Sequence, residues 1–232
     1  MTANIKVCLI TGGARRIGRA VATYLHAHGW TLMIHYHRSQ AAAQSLCTEL
    51  NQVREGSAQL VQGDLMQPQI AAHLIDTTIA TWGRIDLLIN NASCFFNTPF
   101  SAITTEHWHT AFTTNLQAPF FLAQHAAPLL AQSQGSIINI TDAHLHTSIK
   151  DYAVYCLTKA SLNAMTTILA KELGPKIRVN AIAPGLIIWP EGSGQLDQAS
   201  QERLLASTTL KRQGDPLDIA KAALFLAQDA PY

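Results

Sequence analysis

Val7-Cys8-Leu9-Ile10-Thr11-Gly12-Gly13-Ala14-Arg15-Arg16-Ile17-Gly18 reads as a buried strand, a glycine turn and the start of a helix. The apolar run is short and stops at the glycines. Helical spacing then takes over, with Ile17, Ala20, Val21, Tyr24 and Leu25 on one face. Working outward, five more short apolar runs end the same way. Residues 32–36 close at His37-Arg38-Ser39, and residues 58–61 at Gly63-Asp64. Residues 85–89 close at Asn90-Asn91, residues 136–140 at Thr141-Asp142, and residues 177–182 at Pro184-Gly185. Each run is too short for a buried helix and stops at a turn signal, as buried parallel strands do. Strand and helix alternate six times. This predicts an α/β fold: a doubly wound parallel sheet of Rossmann type with helices on both faces. No Pro- or Ser-rich linker or repeat divides the chain, so residues 1–232 read as a single domain.

Composition narrows the function. Hydrophobic residues make up 48% and charged residues 13% of 232, enough for a sizeable core and unlike a disordered chain. A net charge of +1 gives no basis for a nucleic-acid groove or an anionic membrane partner. No apolar stretch approaches the roughly 20 residues of a membrane span. Residues 1–6 run straight into the first strand, leaving no room for a signal peptide, so a cytoplasmic protein is expected. Cys8, Cys47, Cys94 and Cys156 are scattered without metal-type spacing and read as free thiols.

Ligands of such a sheet bind beyond the carboxyl ends of its strands. At the first, the glycines let backbone approach a pyrophosphate, and the helix start behind them favours its negative charge. At the second, an acid for a ribose 2′-hydroxyl is missing; His35-Tyr36-His37-Arg38-Ser39 stands there instead. Arg38 and Ser39 suit a 2′-phosphate, hence NADPH. At about 1.5–3 kcal/mol per charge-assisted hydrogen bond, two such bonds favour NADPH over NADH roughly 100-fold or more. On the helix after the fifth run, Tyr155 and Lys159 lie four residues apart, on one face. A reductase needs a proton donor as hydride arrives. A nearby Lys159 ammonium and an oxidised nicotinamide are expected to lower the Tyr155 phenol from its usual value near ~10.

Thr11-Gly12, Asp64, Asn90-Asn91-Ala92, Asn115, Tyr155-x-x-x-Lys159 and Pro184-Gly185 fall in the order and at the spacing of short-chain dehydrogenases/reductases. The chain resembles that family over nearly its whole length. The resemblance implies that Gly12, Arg15, Arg16, Ile17, Gly18, His37, Arg38, Ser39, Asp64, Asn91, Ala92, Ser93, Tyr155, Lys159, Pro184 and Gly185 border the cofactor. Asp64 would meet the adenine, and Asn91 with Ala92 the ribose and nicotinamide. Asn115 would hold a proton-relay water next to Lys159. The usual homotetramer would form on the long helices near residues 105–130 and 152–173.

Departures from the family pattern sharpen the resemblance. Asp142 stands thirteen residues before Tyr155, where the family has Ser. Arg16 replaces the middle glycine of the turn, and Asn-Asn-Ala-Gly becomes Asn90-Asn91-Ala92-Ser93 followed by Cys94-Phe95-Phe96. In these respects, and in residues 35–39, the chain looks like the pteridine reductase branch. That implies a pterin or folate substrate of the dihydrobiopterin, dihydromonapterin or dihydrofolate type. Phe95 would stack on the ring, Ser93 and Arg16 would bond the pterin or the cofactor phosphates, and Asp142 with Tyr155 would act at the reducible ring. Leu186 and Trp189 would line the pocket. A carbonyl reductase and a non-catalytic NADPH-binding regulator are the alternatives.

His107, His109, His144 and His146 form two HxH pairs without acid partners and read as surface histidines, with no metal expected. Phe96 and Phe100 read as core residues. Leu186-Ile187-Ile188 lacks the hydroxyl that the family uses toward the carboxamide, so only backbone groups are expected to serve. Relatives continue past Ala230-Pro231-Tyr232 into a last strand, so that strand is expected to be missing here, leaving an open sheet edge.

Overall fold

The computed structural model describes residues 5–146, 148–189 and 197–228. Six strands occupy the places that the apolar runs mark: β1 Lys6–Ile10, β2 Trp30–Tyr36, β3 Ala58–Gln62, β4 Leu87–Asn90, β5 Ser136–Ile140 and β6 Arg178–Ile182. They form one parallel sheet in the order β3-β2-β1-β4-β5-β6. Leu9 pairs with Met33 on one side and Leu88 on the other. All of β2 is buried, because both faces are covered; this is why the runs are continuously apolar rather than alternating.

Alternate strand residues serve opposite layers. Cys8, Ile10, Leu32 and Ile34 meet α1 Arg16–Ala27, α2 Gln40–Val53 and α8 Pro216–Gln228 through Val21, Leu25, Leu46 and Ala220. Leu9, Met33, Leu88 and Ile137 meet α3 Ile70–Trp82, α5 Ala118–Ser133 and α6 Ala153–Leu173 through Leu74, Leu122, Ala126 and Leu162. The long helix expected near 105–130 is α4 Thr105–Phe112 joined to α5 by one π-helical turn, Thr113–Gln117. α7 Gln198–Ser207 precedes α8.

Two runs enter the sheet later than their apolar residues suggest. Ile85 and Ile177 are buried in the core yet lie outside β4 and β6. Asp86 explains the first. Its Oδ2 accepts the Val7 N–H at 2.8 Å, and Arg84 donates to both carboxylate oxygens. A side chain thus takes a β1 donor just before ladder pairing begins.

The strand order reverses between β1 and β4, which opens a crevice at their carboxyl ends. Among the described residues β6 is a sheet edge. Residues 1–4 and 230–232, on which the expectations about the two termini partly rest, lie outside the described residues. No helix among the described residues is long and apolar enough to cross a membrane.

Candidate active site

The crevice begins at Gly12, whose φ of +61° glycine adopts without a β-carbon clash. Asn91, from the end of β4, closes over it. Its Nδ2 donates to the carbonyls of Thr11 and Gly12 at 2.9 and 3.0 Å, while Thr11 Oγ1 accepts the N–H groups of Asn91 and Ala92. Gly18 lets α1 approach this lock. A β-carbon there would lie 2.3 Å from the Gly12 carbonyl oxygen and 2.6 Å from Asn91 Nδ2. Asn91 and Gly18, both expected along the cofactor, therefore build the turn. Ile17 packs its side chain on the core. α1 starts after Arg15 with no side-chain cap and no acid in its first turn, the arrangement of an anion site.

Arg16 sits at φ +53°, where the family's glycine would be at ease; the L-residue costs on the order of 1 kcal/mol there. Its Nη2 donates to the carbonyls of Trp189 at 3.0 Å and Ile188 at 3.4 Å. The Leu186 carbonyl accepts from Gly214 N–H and the Ile187 carbonyl from Gln213 Nε2. Four successive carbonyls of the loop after β6 are thus engaged within the protein. Of the backbone groups expected to replace the missing hydroxyl, each of these carbonyls already accepts one hydrogen bond and keeps one lone pair. Pro184 is buried, with its carbonyl accepting the Ala143 N–H, whereas Gly185 is exposed.

At the end of β2, His35 is 2% exposed. Its Nδ1 accepts the Gly12 N–H at 3.2 Å and its Nε2–H donates to the Gly63 carbonyl at 3.1 Å. Burial lowers its pKa to about 4, so the imidazole that ties these three strand ends together is neutral. The sequence reading missed this clamp, although His35 lies inside the apolar run and His37 outside it. Beyond it, His37 and Arg38 are exposed, and His37 Nε2 stands 3.8 Å from Asp64 Oδ2. Asp64 Oδ1 accepts the Met66 N–H. Ser39 is the N-cap of α2 but makes no capping bond, and no acid lies in the first turn.

At the end of β5, the Tyr155 hydroxyl donates to Asp142 Oδ2 at 2.6 Å. α6 sets Lys159 one turn on, 3% exposed, donating to the Ile140 carbonyl at 2.8 Å. Burial lowers the Lys159 pKa to about 8. The Tyr155 phenol is pushed well up, first by burial and then by the Asp142 charge and hydrogen bond. This corrects the expected lowering by Lys159. Lys159 is turned to a carbonyl, and burial, reinforced by the Asp142 carboxylate, outweighs it.

Asn115 lies in the π-helical turn, 1% exposed. Its Oδ1 accepts the Cys94 N–H, and its Nδ2 donates to the Cys94 carbonyl and Thr158 Oγ1. The amide expected to hold a relay water thus clamps the loop after β4 to α6. Nothing local in the sequence marks the π turn that aims it there.

That loop presents Phe95, 42% exposed. Its ring stacks on Tyr152 at 4.3 Å and meets Tyr155 edge-on at 4.7 Å. Tyr152 was not foreseen; its place one turn before Tyr155 is the only hint. Ser93 is exposed, and Trp189 is half-buried at the loop end. Phe96 is half-buried against His107, but Phe100 is 84% exposed and is no core residue. His107 completes a capping box with Thr104. His144 is more than a surface histidine: its ring Nδ1 and its backbone N–H both bond Asp142 Oδ1 at 2.8 Å. The His146 side chain lies outside the described residues.

A family model described as Enoyl-(Acyl carrier protein) reductase matches residues 12–231. The chain belongs to the short-chain dehydrogenase/reductase family. It is similar to an uncharacterized oxidoreductase of Methylorubrum extorquens, with 36% identity over 97% of this chain and 91% of that one. It is also similar to Pteridine reductase 1 of Leishmania tarentolae, with 36% identity over 80% and 78%. A 3-oxoacyl-(acyl-carrier-protein) reductase of Synechocystis is 33% identical over 99% and 92%. The chain is therefore an oxidoreductase of a family that uses NAD(P)H. Its own residues fit such a dinucleotide: a tight glycine turn, an uncapped α1 start, and the exposed Arg38 beside the uncapped α2 start.

Proposed function

We propose that this oxidoreductase is an NADPH-dependent pteridine reductase. The observation that carries the reading is the 2.6 Å hydrogen bond from Tyr155 to Asp142, in the place of the family's Ser. A carbonyl substrate develops an oxyanion, which a hydroxyl stabilises and a carboxylate repels. A pterin instead offers N–H and amino donors to Asp142 and a ring nitrogen to Tyr155. The half-exposed Phe95 ring supports stacking of a flat heterocycle. Similarity to Pteridine reductase 1 points the same way.

In this reading Arg15 and the start of α1 hold the pyrophosphate, with Gly12 shaping the turn beneath it. Arg38, Ser39 and His37 hold the 2′-phosphate. Bound there, the dinucleotide supplies hydride. Tyr155 supplies the proton, Lys159 sustains positive potential beneath it, and Asn115 keeps the loop of Ser93 and Phe95 against α6. Arg16, Leu186 and Trp189 close the substrate side. Phe120 and Phe121 on α5 and Leu157 and Ile168 on α6 are exposed and apolar, which supports a homotetramer built on these helices. A monomer by light scattering at micromolar concentration would count against that assembly.

The carbonyl-reductase alternative is favoured by the Synechocystis relative and by the description of the family model. One experiment separates the two: NADPH oxidation with dihydrobiopterin, dihydrofolate and a 3-oxoacyl thioester, in the wild type and in Asp142→Ser. The pterin reading expects wild-type turnover of a pterin and its loss in the variant, by roughly 10²–10⁴-fold. A wild type that reduces the thioester and ignores every pterin overturns it.

A further inference from the structure

The proposed reduction consumes one proton per turnover at Tyr155, and the phenolate must be refilled. Asp142 divides its oxygens between two partners. Oδ2 accepts from Tyr155 at 2.6 Å; Oδ1 accepts from the ring of His144 at 2.8 Å. Side-chain exposure rises from 18% at Asp142 to 43% at His144. The row Tyr155–Asp142–His144 therefore leads from the site to water.

Among the described residues, the other polar and ionisable groups around the pair give no such exit. Lys159 on α6 is 3% exposed and donates to the Ile140 carbonyl. Cys94, on the loop after β4, is bonded to the Thr110 carbonyl, and burial pushes its thiol up. Cys156, the next residue on α6, is half-buried. Asn115 has both N–H groups engaged.

We propose that His144 is a positioning residue that admits the proton: it orients Asp142 and passes protons from water, through Asp142, to Tyr155. Hydride arrives at the substrate's unsaturated bond, and the Tyr155 hydroxyl gives its proton to the adjacent atom. The His144 imidazolium gives its Nδ1 proton to Asp142 Oδ1. Rotation of the carboxyl about Cβ–Cγ presents that proton to the Tyr155 phenolate, which takes it. The neutral imidazole then takes a proton from water. Nothing is oxidised or reduced in the row, and the net uptake is one proton. Imidazole suits this task because each of its two ring nitrogens can carry a proton, one toward Asp142 and the other toward water. The inference rests on Tyr155 as the donor of the proposed reduction, and it holds for a ring nitrogen or a carbonyl oxygen alike.

The test compares His144→Asn, whose amide keeps an N–H toward Asp142 but does not give up or take on a proton, with His144→Ala. Turnover is measured on whichever of the pterins or the thioester the wild type reduces, so failure of the pterin assignment leaves this test intact. Both variants should lose kcat about equally, on the order of 10²-fold, with KM little changed. Added imidazole should restore His144→Ala in its protonated fraction, so that rescue falls as pH rises. A His144→Asn variant with wild-type kcat would reduce His144 to a hydrogen-bond prop. An Ala variant indifferent to imidazole would also overturn the proposal.

Discussion

The carboxyl edge of the sheet carries two clusters built on opposite principles. At the ends of β1, β2 and β3, neutral side chains tie backbone to backbone. Asn91 holds Thr11 and Gly12, and His35 holds Gly12 and Gly63, with its proton-binding suppressed by burial. At the end of β5, Tyr155 and His144 bond to the Asp142 carboxylate with Lys159 held on a carbonyl beside them, and burial shifts the ionisable groups: Tyr155 up and Lys159 down. The first cluster fixes a shape that accepts an anion from outside. The second holds groups whose protonation the chemistry must change. Damage to the first should therefore appear in stability and cofactor selectivity, and damage to the second in turnover.

The sharpest break is Tyr155→Phe. The ring and its edge contact with Phe95 remain, and only the acid is removed. Turnover should fall by at least about 10³-fold, within the range of general-acid groups, while the dissociation constant for NADPH stays near wild type. Wild-type turnover in this variant would remove the distinction between the clusters.

The next effect tests the neutral clamp. His35 has a folded-state pKa of about 4 against an ordinary 6.5. Between those values the unfolded chain binds a proton that the native chain refuses. Stability is thus fully present above pH 6.5 and falls as pH drops toward 4. At ~1.4 kcal/mol per pKa unit the loss is about 3 kcal/mol. Urea unfolding across that window should show it, and His35→Asn, which does not titrate, should lack that part of the slope. Identical slopes would mean that His35 is not the buried neutral group described.

The smallest effect concerns selectivity. Arg38→Ala should weaken NADPH binding roughly tenfold to 100-fold and leave NADH nearly untouched, because only NADPH carries the 2′-phosphate. Titrations showing equal losses for both cofactors would refute this role for the β2 end.

Much of this was legible in the chain. The six runs, their turns and the residues at their ends follow from local patterning, and the doubly wound parallel sheet follows from the alternation, whereas the strand order came only from the structure. Legibility failed where a contact joins distant segments. His35 and His37 are two residues apart and chemically identical, yet one is a buried strut and the other is solvent-facing. His144 reads as one of four scattered histidines until the segment after β5 folds its ring back onto Asp142. Phe100, apolar by composition, is left 84% exposed, next to the half-buried Phe96 segment.

By itself the sequence determined the parallel sheet, the glycine turn, the acid-free end of β2 and the Tyr155–Lys159 spacing, because periodicity and turn chemistry act over a few residues. The tertiary structure alone decided that Asn115 and Asn91 brace the site, that Arg16 reaches the carbonyls of Ile188 and Trp189, and that Tyr155 faces a carboxylate rather than the ammonium of Lys159. Those outcomes depend on which groups lose water together. Burial and long-range hydrogen bonding set that only once the strands have closed.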